Sequence, residues 1–142
     1  MAGETNQLRV RLVTPERILF EYLADSVELP SRAGYMEPLY GHEPLLAELG
    51  AGEVTLHGGP GDGQVYYVSW GFVEVLPDRV TILASAAIKP EEIDVARAEQ
   101  QLDRGLEQWK EAGESEEAYS EALRVIADAE AKIASAGATP TH

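Results

Sequence analysis

At 142 residues, 44 % of them hydrophobic, the chain can form one ordinary domain, or a compact domain with an appendage, and can bury a core. Its formal charge of −14 repels polyanions and excludes nucleic-acid and anionic-membrane binding; 12 acidic and 6 basic residues precede a cut after Pro90, 13 and 5 follow it, so both halves are acidic. The absence of cysteine excludes a disulfide framework and a thiolate metal site and is consistent with the cytoplasm.

No apolar run approaches the ~20 residues that cross a bilayer. Met1 to Gln7 shows neither a secretory signal nor an Arg- and Ser-rich transit peptide. A soluble, unprocessed chain of bacterial or organelle-encoded origin is therefore expected. From Leu8 to about Ala87, short β-branched and aromatic runs alternate with Gly, Pro, Asp and Ser, the rhythm of an all-β sandwich or barrel of roughly eight to ten strands. Val10 and Leu12, then Ile18, Phe20 and Tyr22, alternate with polar neighbours around a turn at Thr14-Pro15-Glu16. Val27 to Leu29 reads as a strand stopped by Pro30. Gly58 to Gly63 reads as a hairpin connection between Glu53–His57 and Gln64–Ser69, and Pro77-Asp78 as the turn before Val80 to Leu83.

After Pro90 the apolar period becomes helical. One stripe runs through Val95, Ala98, Leu102, Leu106 and Trp109, with Glu91, Glu92 and Asp94 expected in the first turn. Gly113 is expected to stop this helix and Ser115 to cap the next, whose stripe runs through Tyr119, Ala122, Leu123, Ile126, Ala129 and Ile133. A loop of about three residues makes the two helices antiparallel. Both stripes are narrow and Ala-rich, and Gly105 weakens the first helix by roughly 1 kcal/mol, so a marginal, mobile hairpin is expected, ending in a frayed tail from Ala134 to His142. The reading is thus α+β by content: a β-sandwich over residues 1–89 and a helical hairpin over 90–142.

No constellation for catalysis is present. His42, His57 and His142 lack metal-ligand spacing, and the Gly-rich stretch lacks the Lys-Ser/Thr of a P-loop. Two segments stand out. Gly34 to Leu46 packs aromatic and apolar residues into a Gly- and Pro-punctuated loop, which is either a contact surface or a cover for the core. Asp94, Arg97 and Arg104 fall near one helix face, where they form either a surface ion pair or a site for a nucleotide's phosphates and ribose or base.

Six segments in order, Val10-Arg11-Leu12-Val13-Thr14-Pro15-Glu16, Val27-Glu28-Leu29-Pro30, Gly41-His42-Glu43-Pro44-Leu45-Leu46, Gly71-Phe72-Val73-Glu74-Val75, Val80-Thr81-Ile82-Leu83-Ala84 and Ile93-Asp94-x-x-Arg97-Ala98, resemble the epsilon subunit of F-type ATP synthases. The resemblance runs from about Leu8 to Ile133. It implies a ten-stranded sandwich that grips a gamma subunit and rests on the ring of c subunits, as the foot of a central stalk that transmits torque without catalysing a reaction. It also implies a hairpin that folds down or extends toward the alpha and beta subunits of the catalytic head to restrain ATP hydrolysis. No cofactor is required, ATP being a regulatory ligand through Asp94, Arg97 and Arg104. The expected location is peripheral, on the cytoplasmic side of a bacterial inner membrane or the stromal side of a thylakoid, without insertion into the bilayer.

Within the implied contact loop the residues are Tyr35, Glu37, Leu39, Tyr40 and His42. Tyr35 stands where the family often has a glutamate, for which Glu37 is the nearby substitute. Ile88 stands where some ATP-binding members have a glutamate, and Trp70-Gly71 where paired glycines are common. A free-standing ATP-sensing module is the alternative reading.

Overall fold

Strand β1 (Leu8–Val13) buries Leu8, Val10 and Leu12 and exposes Arg9 and Arg11, the alternation of a sheet with one face on a core. The computed structural model describes residues 6–137, so the tail after 137, including His142, and residues 1–5 lie outside the described residues. The chain divides into two compact units, Met1–Ile88 and Lys89–His142.

The first unit continues with β2 (Ile18–Ala24), β3 (Ser26–Ser31), β4 (Gly34–Met36), β5 (Leu45–His57), β6 (Val65–Leu76) and β7 (Arg79–Ile88). They form one sheet in the order β2-β1-β7-β6-β5-β3-β4, antiparallel except where β1 runs parallel to β7. Thr14 and Arg17 exchange backbone hydrogen bonds across the expected β1–β2 turn. Pro77 and Asp78 make the two-residue connection between β6 and β7. Pro30 does not stop β3. It lies inside that strand opposite Tyr35, and the β3–β5 register shifts between Glu28 and Ser31, where a residue without an N–H is tolerated. The segment read as one loop also contains β4 and the start of β5.

Among the described residues seven strands replace the eight to ten expected, because β5, β6 and β7 are long enough to serve two layers. In β5 the inward positions change from Ala47 and Leu49 to Gly52, Val54 and Leu56; in β6 they change from Val68 to Val73 and Val75. In β7 they run through Val80, Ile82 and Ala84, then move to Ala87. The changes lie side by side, since Ala51 pairs with Ser69 and Ser69 with Ala86. This line is where the sheet folds on itself. Residues from both ends of the strand order, Leu8 and Phe20 with Val27 and Leu29, consequently share one core, and the result is a sandwich. At the line in β6, Trp70 takes φ +55° and Gly71 φ +129°, and a Cβ on Gly71 would collide with the carbonyl of Leu83. Trp70-Gly71, standing where paired glycines are common, takes this left-handed step.

In the second unit, Pro90–Glu92 form a 3-10 turn, and α1 (Val95–Glu111) starts later than expected, which leaves Glu91 and Glu92 outside its first turn. Asp94 is its N-cap, accepting a hydrogen bond from the Arg97 N–H at 3.1 Å. Gly113, at φ +59°, follows the C-cap Ala112, and Ser115 caps α2 (Glu116–Ser135) by accepting from the Ala118 N–H. Ala98, Leu102, Gly105, Ala122, Ala129 and Ile133 are buried in the interface. Gly105 is therefore a contact residue as well as a weak helix former: a Cβ there would lie 2.8 Å from Ile126 Cγ1 and 3.2 Å from the Ile126 backbone nitrogen. Gln101 fixes the register, donating to the Val125 carbonyl at 3.2 Å and to Asp128 at 2.9 Å and accepting from Lys132 at 3.2 Å. Trp109, Tyr119 and Leu123, expected within the stripes, stay more than two-fifths exposed, with the two rings in tilted contact.

Candidate functional site

The contact-loop residues fall into two groups. Glu37, Leu39, Tyr40 and His42 share one loop at the end of the sandwich. Ser26 donates to Glu37 at 2.7 Å, Leu39 bridges to Ser26, and the Gly41 N–H donates to the Pro77 carbonyl at 2.6 Å. The loop is thus tied at both sides. The His42 N–H donates to the Leu39 carbonyl, and its Nδ1 lies 2.6 Å from the Glu43 carbonyl. Leu39 and Tyr40 are about half exposed. Of the two readings left open for this loop, exposure favours the contact surface. Tyr35 belongs elsewhere: it sits on β4, and its hydroxyl accepts from the Glu53 N–H at 2.8 Å.

Beside this loop the His57 imidazole meets Glu28 at 2.9 Å across the β3–β5 pair. The hydrogen bond to Glu28 raises the His57 pKa above its ordinary 6.5 against a smaller opposing effect of burial, and the charges of Glu28, Glu37 and Asp62 add to the rise.

The three nucleotide-site candidates are not assembled as a cluster. The Asp94 carboxylate is engaged in capping α1, whereas Arg97 and Arg104 are exposed, and among the described residues no carboxylate pairs with either guanidinium. Ile88 closes β7 opposite Tyr67. A hollow of about 330 Å³ opens at the other end of α1, among Gly113 to Ser120, away from these residues. No group of three His, Asp or Glu among the described residues is arranged to hold a metal ion.

A larger feature escaped the sequence reading. On the outer face of the β2-β1-β7-β6 layer, register places Phe72 beside Leu83, Leu83 beside Val13, and Val13 beside Ile18. Phe72, Leu83 and Ile18 are each about half exposed, and Leu46, 70 % exposed, stands on β5 opposite Glu74. The signal was available in the period-2 alternation of Phe72 to Val75 and Val80 to Ala84, where the outward phase carries a large apolar residue, Phe72 and Leu83, beside the polar Glu74 and Thr81. A one-sided sheet needs apolar residues in only one phase.

The geometry agrees with comparisons to known proteins. Residues 7–90 match the family model described as ATP synthase, Delta/Epsilon chain, beta-sandwich domain. The ATP synthase epsilon chain of Koribacter versatilis is 43 % identical over 104 residues, covering 72 % of this chain and 71 % of that one. The epsilon chain of Solibacter usitatus is 38 % identical over 129 residues, 91 % of this chain and 95 % of its own. Among solved structures, a chain of the Euglena gracilis mitochondrial ATP synthase assembly OSCP/F1/c-ring superposes with a TM-score of 0.76 at 20 % identity, covering 94 % of this chain and 86 % of that one, and so shares the fold. The family-model match over residues 7–90, with one relative spanning 91 % of the chain and another 72 %, places the chain in the delta/epsilon family as an epsilon subunit of F-type ATP synthase.

Proposed function

We propose that the chain is a non-catalytic subunit of the rotor, holding a gamma subunit on the sandwich and resting on a ring of c subunits through the loop from Glu37 to His42. The observation that carries this reading is the apolar row in which exposed Phe72, Leu83 and Ile18 flank the half-buried Val13. In a chain of charge −14, several large apolar side chains aligned across four strands mark a surface that a partner covers. The named relatives are ATP synthase epsilon chains, and the structural neighbour belongs to an assembly that includes a c-ring. No described helix is long and apolar enough to cross a membrane, which accords with a peripheral place on the cytoplasmic or stromal side. Pull-down with the cognate gamma subunit tests the proposal: capture at micromolar concentration supports it, and failure to bind at that concentration rejects it.

The hairpin supports a regulatory role toward the alpha and beta subunits of the head. Its interface is small, with three alanines and one glycine beside Leu102 and Ile133, and suits an element with two arrangements. Exposed Arg97 and Arg104 lie seven residues apart on one face of α1 and are available to ATP phosphates, with Asp94 holding the start of the helix. Calorimetric titration with ATP tests this second role, and an Arg97→Ala change is expected to abolish the binding heat.

A further inference from the structure

Two residues along β1, β6 and β7 from the apolar row, and three along β2 where the register shifts, the same outer face changes character. Arg11 pairs with Thr81 and Glu21, and Thr81 with Glu74. Two residues further, Arg9 stands beside Arg79 across the parallel β1–β7 pair. These six side chains line a shallow pocket of about 140 Å³. Three of the six basic residues that precede Pro90 are thereby gathered on one small area of an acidic unit. Arg9 and Arg11 share one acceptor, Glu21, at 3.5 and 3.8 Å, distances too long for strong ion pairs. Arg79 has no carboxylate within ion-pair range among the described residues. Like charges set side by side on a sheet cost stability unless an anion answers them. Two carboxylates serve three guanidiniums here, so the local set is short of negative charge.

We propose that this arginine patch is the polar half of the docking face: it receives carboxylates from the same partner segment whose apolar side chains cover Phe72 and Leu83. This assignment rests on the reading of that face as the seat of the gamma subunit. A segment running along the strands meets the apolar row first, then the arginines about 7 to 14 Å further on, a spacing of two to four residues in a strand or one to two turns of helix plus side-chain reach. The partner element that fits is therefore amphipathic, with carboxylates on the apolar flank. A bare acidic surface would lack an anchor and a bare apolar one would leave Arg79 unanswered. The patch thus acts in choosing orientation and register, as charged rims do, while the apolar row supplies most of the adhesion.

Surface plasmon resonance with the cognate gamma subunit tests the assignment, comparing the full wild-type chain with Arg79→Glu, Glu21→Gln and a control charge reversal in the other unit, Lys110→Glu. The patch predicts opposite signs: Arg79→Glu weakens binding about tenfold or more at low salt, Glu21→Gln strengthens it by removing the internal competitor, and Lys110→Glu changes little. Half-molar salt should shrink the Arg79 effect to about twofold or less. Equal affinity of wild type and Arg79→Glu, or weakening by both variants, would overturn the patch while leaving the apolar seat intact. Failure of the wild type to bind gamma would overturn the seat and the patch together. Saturable binding of inorganic phosphate, lost in Arg79→Glu while gamma binding is unchanged, would reassign the pocket to a small anion and reject the partner carboxylate.

Discussion

Gly71 shows how one residue fixes the course of a strand. Its φ of +129° and the carbonyl of Leu83 leave no room for a Cβ, so Gly71→Ala must twist β6 where the sheet folds over. A loss of about 3 kcal/mol or more in urea denaturation is expected, with failure to fold as its limiting form. His57 contributes a pH dependence of stability. Its pKa is raised in the folded chain, so the pairing with Glu28 contributes stability that is fully present below 6.5 and lost as the pH climbs through the raised value. Both side chains are 44 % exposed, and solvent screening holds the contribution under ~1 kcal/mol. Glu28→Gln should therefore lower the His57 pKa in an NMR titration and destabilise the chain at about pH 6 but not at about pH 9. Histidine spacing gave no hint of this pair, because the partner of His57 lies 29 residues away and becomes its neighbour only through the β3–β5 register.

At the scale of elements, most of the order was legible because local rules decide it. The turn at Thr14 to Arg17, the Pro77-Asp78 connection, the Gly113 stop and the Ser115 cap each depend on residues within four positions of one another. The number of strands was not legible, because the change of facing at Gly50, Trp70 and Ser85 interrupts the apolar pattern without ending the hydrogen-bonded strand. The hairpin reverses one local expectation. Replacing Gly105 by Ala should gain roughly 1 kcal/mol of helix propensity but force α1 away from Ile126 and Val125, which costs about 1 to 3 kcal/mol. The packing cost wins: Gly105→Ala is expected to lower the hairpin's stability by about 1 kcal/mol. Thermal melting followed by circular dichroism checks the sign, and a higher melting temperature would show that the helices separate freely at that point.

For the whole molecule, ordered segments spread over the chain disclosed the family, and the tied loop from Glu37 to His42 was picked out by its composition. The face that now carries the functional reading was not, since Val13, Ile18, Phe72 and Leu83 lie far apart in sequence and align only when β1 pairs in parallel with β7. In the proposed role of a subunit that holds partners, this acidic chain depends on that row more than on any titratable group. The most direct measurement is the calorimetric affinity for the cognate gamma subunit of wild type and of the double variant Phe72→Ser, Leu83→Ser. The account predicts sub-micromolar binding by the wild type and a loss of at least about a hundredfold in the variant, whose buried core is untouched. Equal affinity of the two proteins would contradict it.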